Sequence, residues 1–199
     1  MPNTLLSTVV MNSQQPHRTA CWICVASFCA RALGQPVAPL NELVLRHVKS
    51  DPTKKNMSGS GNPAELITEW QVGIERRITW TKLKAEDRFS MDQIRAIAST
   101  IIAGNPVICE LRSSNGMLQN LGWKHAVALC GANFVTEDDI LFKFKDPSKP
   151  DPQANQPRTV TGKSLFGAGF IYQDQVTVNG VILKNVQAYS KNVFLLSID

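Results

Sequence analysis

Apolar residues recur at helical spacing in several segments of the first half of the chain. Residues 21–33 are apolar and rich in alanine, and a glycine and a proline follow shortly after, which predicts a helix with a stop signal. A Ser-x-x-Gln capping box predicts a second helix from Ser90 to Gly104. Two shorter helices are predicted over residues 40–48 and 63–72.

The second half of the chain carries short apolar runs that are typical of strands. Residues 140–145 end in an alternation of Phe and Lys, which predicts a strand. Asn179-Gly180 separates two Val-containing runs and predicts a tight hairpin turn. Helices followed by an antiparallel sheet indicate an α+β fold with two lobes around one site. Further strands are predicted over residues 5–11, 106–111, 126–130 and 193–198.

The composition fits one folded domain. With 199 residues, 43% of them apolar, the chain can bury a sizeable core and is too apolar to be disordered. We therefore expect a single domain over residues 1–199, with a helical lobe over about 12–103 and a sheet lobe over about 104–199. No apolar run approaches the roughly 20 residues that cross a bilayer, so no membrane partner is expected.

The charge is moderately basic but dispersed. Lys and Arg number 21 against 16 Asp and Glu, a net charge of +5. The densest basic pairs, Lys54-Lys55 and Arg76-Arg77, form no clustered stripe of the kind that marks nucleic-acid binding. We therefore predict no nucleic-acid partner.

The first residues and the cysteines indicate where the chain is made. The N-terminus has neither a basic region nor a small-residue cleavage site, which argues against a secretory signal peptide. The five cysteines are an odd number, and three of them fall within residues 21–29. This is a poor disulfide framework, and we expect synthesis in the reducing cytoplasm.

Cys21 stands at the start of the first predicted helix, after a polar loop. The partial positive charge and free N–H groups of a helix N-terminus lower the pKa of a thiol, and the thiolate is the nucleophile. An upstream glutamine, Gln14 or Gln15, is placed to aim its amide at the same point. Together with the backbone N–H of Cys21 it would form an oxyanion hole.

A thiolate nucleophile also needs a base and a group that orients the base. Of the three histidines, His17 lies in the loop before the helix and His47 ends a helix on a solvent-facing side. His125 opens an apolar strand, and Asp146 ends the next strand. If the two strands pair as a hairpin, both residues lie at one sheet edge, and the carboxylate can fix the tautomer of the imidazole.

These motifs together resemble the papain-like cysteine peptidases. The resemblance is greatest to the short bacterial branch, which includes double-glycine leader peptidases of bacteriocin exporters and avirulence-type effector proteases. Gln15 lies six residues before Cys21, as in the family, and Asp146 stands where papain itself has Asn and the bacterial branch commonly has Asp. Other matching motifs are Cys21-Trp22 with Ala26-Ser27, Gly61-Asn-Pro63, Gly104-Asn-Pro-Val-Ile108, His125 before a Val-containing strand, and Asp146-Pro147.

The resemblance implies a papain-like α+β fold with the active site between the lobes. It implies a Cys21–His125–Asp146 triad with Gln15 in the oxyanion hole, and it requires neither a metal nor an organic cofactor. Trp22 and Trp123 are the expected substrate-binding residues beside this triad. Cys24 departs from the family, which usually has an apolar core residue there.

The implied activity is hydrolysis of peptide bonds in a specific protein target. Only 20 residues precede Cys21, too few for an inhibitory pro-segment. We therefore expect a bacterial effector or toxin that a specialised secretion system delivers to another cell, with a cognate immunity or inhibitor protein as partner. Two alternatives on the same fold are a peptidoglycan amidase or acyl-transfer toxin, and a catalytically idle binding module.

Other interpretations of the same residues compete with the triad. Cys21 and Cys24 form a C-x-x-C motif, but the parallel βαβ context of a redox protein is absent from the pattern. A zinc site from the cysteines of this helix and His17 lacks a second C-x-x-C pair. Asp138 and Asp139 are rivals of Asp146 but lie in a predicted turn. Buried structural roles are expected for Cys29, Cys109 and Cys130.

Overall fold

The fold is a mixed α+β arrangement in which helices pack on an antiparallel sheet. A computed structural model describes residues 4–14, 20–50, 63–70, 78–85, 88–178 and 180–198. The helices are α1 (Thr4–Thr8), α2 (Cys21–Ala32), α3 (Leu40–Ser50), α4 (Pro63–Glu69), α5 (Met91–Ile102) and α6 (Gly116–Asn120). The strands are β1 (Ile78–Lys84), β2 (Val107–Ser113), β3 (Lys124–Phe134), β4 (Ile140–Lys145), β5 (Arg158–Thr161), β6 (Phe170–Val178) and β7 (Val181–Ile198).

The seven strands form one sheet in the order β1-β7-β2-β3-β4-β5, and β6 pairs with the first half of β7. Every pairing among the described strands is antiparallel. The sequence predicts this α+β class, and the sheet confirms it. The absence of a described parallel pair removes the βαβ context that the redox interpretation of the C-x-x-C motif needs.

The long helix α2 forms the centre of the core. Residues 22–30 of α2 are all buried, and the helix packs on β3 and α4. A helix that is apolar on all sides is a helix surrounded by protein. Because α2 is held from several directions, its first residue has a fixed position relative to β3.

Several predicted elements agree with the structure. α2 begins at Cys21, and β4 occupies residues 140–145 as predicted. Both hydrogen bonds of the capping box are present: Gln93 N–H donates to Ser90 Oγ, and Ser90 N–H donates to Gln93 Oε1. β6 and β7 flank the predicted turn, where Gly180 has a φ of +80°. The composition of residues 50–62 predicts a loop; Ser50 is instead the last residue of α3, and residues 51–62 lie outside the described residues.

The prediction of a strand over residues 5–11 is wrong. Residues 4–8 form the short helix α1, and residues 9–14 belong to no helix or strand. Contacts from distant residues hold it instead. The ammonium of Lys145 donates to Val9 O at 2.6 Å, and Asn155 bonds both the N–H and the C=O of Met11. These long-range contacts leave no periodic signal in the local sequence.

The sequence analysis does not predict β1 or β5. β1 comes from the stretch assigned to the helical lobe, yet it pairs along its whole length with the end of β7. Its alternating lysines and threonines give it a weak apolar signal. Within the described part of the chain, no helix combines the length and the apolar character that crossing a membrane requires.

Candidate active site

Cys21 is the first residue of α2 and lies at the boundary between the helix and the sheet. The preceding residue, Ala20, has no side chain that could cap the helix. The N–H groups of the first turn have no partner within a helix. The backbone of Trp22, in this first turn, hydrogen-bonds the Cys21 thiol and favours its thiolate form.

His125 is the second residue of β3 and is 6% exposed. Its Nε2 lies 2.8 Å from Asp146 Oδ1, and the imidazole also hydrogen-bonds the Cys21 thiol. Because Nε2 faces the carboxylate, Nδ1 is the nitrogen that hydrogen-bonds the sulfur. The imidazole therefore connects the thiol at the helix terminus to the carboxylate in the sheet.

Asp146 follows β4 directly and is 2% exposed. β3 and β4 pair with Ala128 opposite Lys145, so the start of β3 and the end of β4 lie at one edge of the sheet. The structure thus has the hairpin pairing that the sequence analysis assumes for His125 and Asp146. The rivals Asp138 and Asp139 lie in the turn at the opposite end of this hairpin, where Asp138 pairs with Arg95 at 2.7 Å.

The electrostatics of the three groups reinforce one another. Burial on its own raises the pKa of Cys21, but the charge of His125 and hydrogen bonds from its ring and from backbone groups outweigh burial, so the pKa lies below its ordinary value. Burial lowers the pKa of His125, but Asp146 and Cys21 raise it to about 10. Asp146 also has its pKa lowered, because His125 outweighs burial. Each of the three shifts thus favours the charged form of its group: the thiolate, the imidazolium and the carboxylate.

The other four cysteines have raised pKa values. All are free and buried. Burial raises the pKa of Cys24 and Cys109 to about 12 and that of Cys130 to about 11, and it raises the pKa of Cys29 further. The buried positions predicted for Cys29, Cys109 and Cys130 are confirmed. Among the described residues, no group of three or more His, Cys, Asp or Glu could hold a metal ion.

Cys21 and His125 border a pocket of about 50 Å³ between α2 and the sheet. Trp22, Ile108, Ala126 and Phe194 contribute to its lining, so the wall beside the thiol is largely apolar. This is room for a small group rather than for a drug-sized ligand. Trp22 is otherwise buried and 4% exposed.

Trp123 lies on the other side of the imidazole. Its ring stacks against His125, with centroids 6.2 Å apart and an interplanar angle of 30°. It also contacts the ring of Tyr172 at 5.7 Å. Trp123 therefore covers the His–Asp pair and does not line the pocket beside Cys21.

Two predicted positions are not placed by the structure. Gln15 and His17 lie outside the described residues. The start of their loop is fixed, because the N–H of Gln14 donates to Pro147 O at 2.8 Å, directly after Asp146. Gln14 is thus joined to the residue that follows the carboxylate.

The sequence analysis misses two partners of the carboxylate. The N–H of Ser148 donates to Asp146 Oδ1 at 2.9 Å, and the hydroxyl of Tyr172 donates to Asp146 Oδ2 at 2.8 Å. The Ser148 contact is an Asx turn, which the Asp-Pro-Ser sequence could have suggested. Tyr172 comes from β6, 26 residues away, and no local pattern marks it.

No protein-family model matches this chain, and no curated protein is significantly similar to it in sequence. The proposed function therefore rests on the geometry and chemistry of the site.

Proposed function

We propose that the protein is a cysteine peptidase of papain-like architecture, with Cys21, His125 and Asp146 as its triad. The observation that carries the proposal is the continuous hydrogen-bonded chain from the Cys21 thiol through His125 to Asp146 Oδ1, at the N-terminus of a buried helix. Nucleophile, base and orienting carboxylate are the three parts that acyl transfer through a thiol needs. The lowered pKa of Cys21, the only cysteine of five with that direction of shift, supports the same assignment.

The first half of the reaction forms an acyl-enzyme. The Cys21 thiolate attacks the carbonyl carbon of the scissile bond, and the electron pair of the C=O moves to oxygen. The backbone N–H of Cys21, together with Gln15 as predicted, stabilises this oxyanion. As the C–N bond breaks, the imidazolium of His125 gives its proton to the leaving amine, which leaves a thioester and a neutral imidazole.

The second half restores the enzyme. The neutral imidazole takes a proton from a water molecule as the water oxygen attacks the thioester. The C–S bond breaks, the acid product leaves, and Cys21 is again a thiolate beside the imidazolium of His125. Asp146 keeps its charge throughout and stabilises the imidazolium through Nε2.

The biological setting is proposed from the resemblance alone. We propose that the enzyme is an effector or toxin that acts on a specific protein in another cell, and that an immunity or inhibitor protein restrains it. Expression inside a recipient cell tests this. The wild type should impair growth and generate new protein N-termini, and the Cys21→Ala variant should do neither.

The test of the enzymatic proposal is cleavage of a proteome-derived peptide library, read by mass spectrometry of new termini. The wild type should cleave a restricted set of sequences, and Cys21→Ala and Asp146→Asn should lose most of this activity. Asp138→Asn is the matched control, because Asp138 is an exposed turn carboxylate at the far end of the same hairpin. If the wild type cleaves no peptide bond but releases cell-wall fragments, the amidase alternative replaces the peptidase.

A further inference from the structure

Tyr172 holds the one oxygen of Asp146 that the imidazole does not use. Its hydroxyl donates to Oδ2 at 2.8 Å, while His125 and the N–H of Ser148 both occupy Oδ1. Ser148 Oγ lies 3.0 Å from the same hydroxyl and completes its surroundings. Burial, with the charge of Asp146, raises the pKa of Tyr172 well above 10.0, so the hydroxyl stays protonated and remains a donor.

The ring of Tyr172 is fixed as firmly as its hydroxyl. The residue is 2% exposed, and its ring lies 5.5 Å from that of His125 and 5.7 Å from that of Trp123. The guanidinium of Arg158 lies over the same ring, 5.7 Å from its centroid, and Nη1 donates to Tyr172 O at 2.8 Å. A side chain held by these contacts can impose an orientation on the carboxylate that it contacts.

A carboxylate distributes its negative charge over all the hydrogen bonds that it accepts. If Asp146 accepted only from His125, it would stabilise the imidazolium more strongly and raise its pKa further. In the proposed reaction the imidazolium must give the proton on its other nitrogen, Nδ1, to the leaving amine. We propose that Tyr172 is a positioning residue that fixes Asp146 through Oδ2 and draws part of its charge away from His125.

The other charged and titratable groups around this unit come from four elements. Cys21 of α2 faces His125 from the far side of the ring. Arg158 of β5 lies on Tyr172 rather than on the carboxylate. Lys145 of β4 precedes Asp146, but its ammonium donates to Val9 O. Lys124 of β3 lines the pocket beside Cys21. The side chain of Ser148 also hydrogen-bonds the carboxylate. Tyr172 donates to Oδ2 from a separate strand, β6.

The test is the substitution Tyr172→Phe, which keeps the ring and removes the hydroxyl. The pKa of His125 is followed by NMR titration of its ring C–H signals, which are assigned by their loss in His125→Gln. We expect the pKa of His125 to rise by roughly half a unit to one unit, since a hydrogen bond to a charged group is lost. Tyr189→Phe, at the only other tyrosine, is the matched control.

A second arm keeps the shape of the side chain entirely. In the Tyr189→Phe background, incorporation of 3-fluorotyrosine alters position 172 alone and makes its hydroxyl a stronger donor. The pKa of His125 should then fall below that of the same background without fluorine. An unchanged pKa in the fluorinated protein overturns the proposal, even if Tyr172→Phe does not fold. A fall of the His125 pKa in Tyr172→Phe overturns it as well.

The catalytic meaning of Tyr172 rests on the proposed function, whereas the NMR titration does not. If peptide cleavage is found, Tyr172→Phe should lower kcat several-fold with little change in KM, and the alkaline limb of the pH profile should move upward. A general loss of packing would lower the rate at every pH without moving that limb. A protein that shows the titration shift but cleaves nothing retains the Tyr172 assignment and loses the peptidase proposal.

Discussion

Two cysteines one turn apart in α2 have pKa values shifted in opposite directions. Cys21 begins the helix, touches His125 and has a lowered pKa, whereas Cys24, one turn further, is fully buried and has a pKa raised to about 12. Burial raises the pKa of both thiols. The difference shows that the acidity of the Cys21 thiol depends on the charge and hydrogen bonds of its partners, and that burial without such a partner charge raises the pKa of a thiol.

Removal of the Cys21 thiol should abolish the difference in alkylation between Cys21 and Cys24. We expect Cys21→Ala to reduce alkylation by iodoacetamide at pH 7 by at least about 10³-fold, because a thiol with a pKa near 11 or above has almost no thiolate at that pH. Intact mass spectrometry measures the rate. Cys24→Ala is the matched control and should alkylate like the wild type. Equal loss in both variants would show that α2 has been disrupted.

Removal of the partner charge should convert Cys21 into a thiol like Cys24. In His125→Gln, the charge and the ring hydrogen bond that lower the pKa of Cys21 are lost, while burial and the weaker backbone hydrogen bonds of Ala126 and Trp22 remain, so the pKa should rise toward the ordinary 9.0 or above. The alkylation rate at pH 6 should then fall by at least about 100-fold. The rate should recover as the pH is raised above 9. A variant that alkylates at pH 6 as fast as the wild type would remove His125 from the site.

The substitution Asp146→Asn tests the contribution of the carboxylate, which contacts the imidazole opposite Cys21. Asp146 raises the pKa of His125, so its neutralisation should lower that pKa from about 10 by about two units or more. The imidazolium is then lost at lower pH, and the alkaline limb of activity moves down. We expect the rate at pH 7 to fall about tenfold or more. Asp138→Asn should leave the profile in place.

The smallest effect is expected from a helix end that carries no chemistry. Ser90 caps α5 through a hydrogen bond from Gln93 N–H, in contrast to the uncapped start of α2. Ser90→Ala should lower the free energy of unfolding by about 1 kcal/mol and leave Cys21 alkylation unchanged. Urea denaturation measures the first quantity. A changed alkylation rate would mean that the site responds to stability in general.

Part of this molecule can be predicted from sequence because its signals are local. The capping box at Ser90, the apolar helix from Cys21 and the alternation in residues 140–145 each lie within a few residues of one another. The pairing of His125 with Asp146 could also be predicted, since it follows from one hairpin.

The remaining features depend on contacts between distant parts of the chain. The segment from Val9 to Gln14 is held by Lys145, Asn155 and Pro147, and its sequence alone resembles a strand. Tyr172 reaches Asp146 from another strand, and nothing near it in sequence indicates that role. A pattern read over a short window cannot register either arrangement, because both arise only when the sheet has closed.

The central claim is that Cys21 is an acidic thiol because of His125, and the pH dependence of its alkylation by iodoacetamide tests this most directly. Wild type and His125→Gln are compared from pH 4 to 10, with the labelled residue located by peptide mapping. The account predicts fast labelling of Cys21 alone below pH 7 in the wild type, and loss of this labelling in the variant. Labelling of wild-type Cys21 that rises only near pH 9, as for an ordinary thiol, would contradict it.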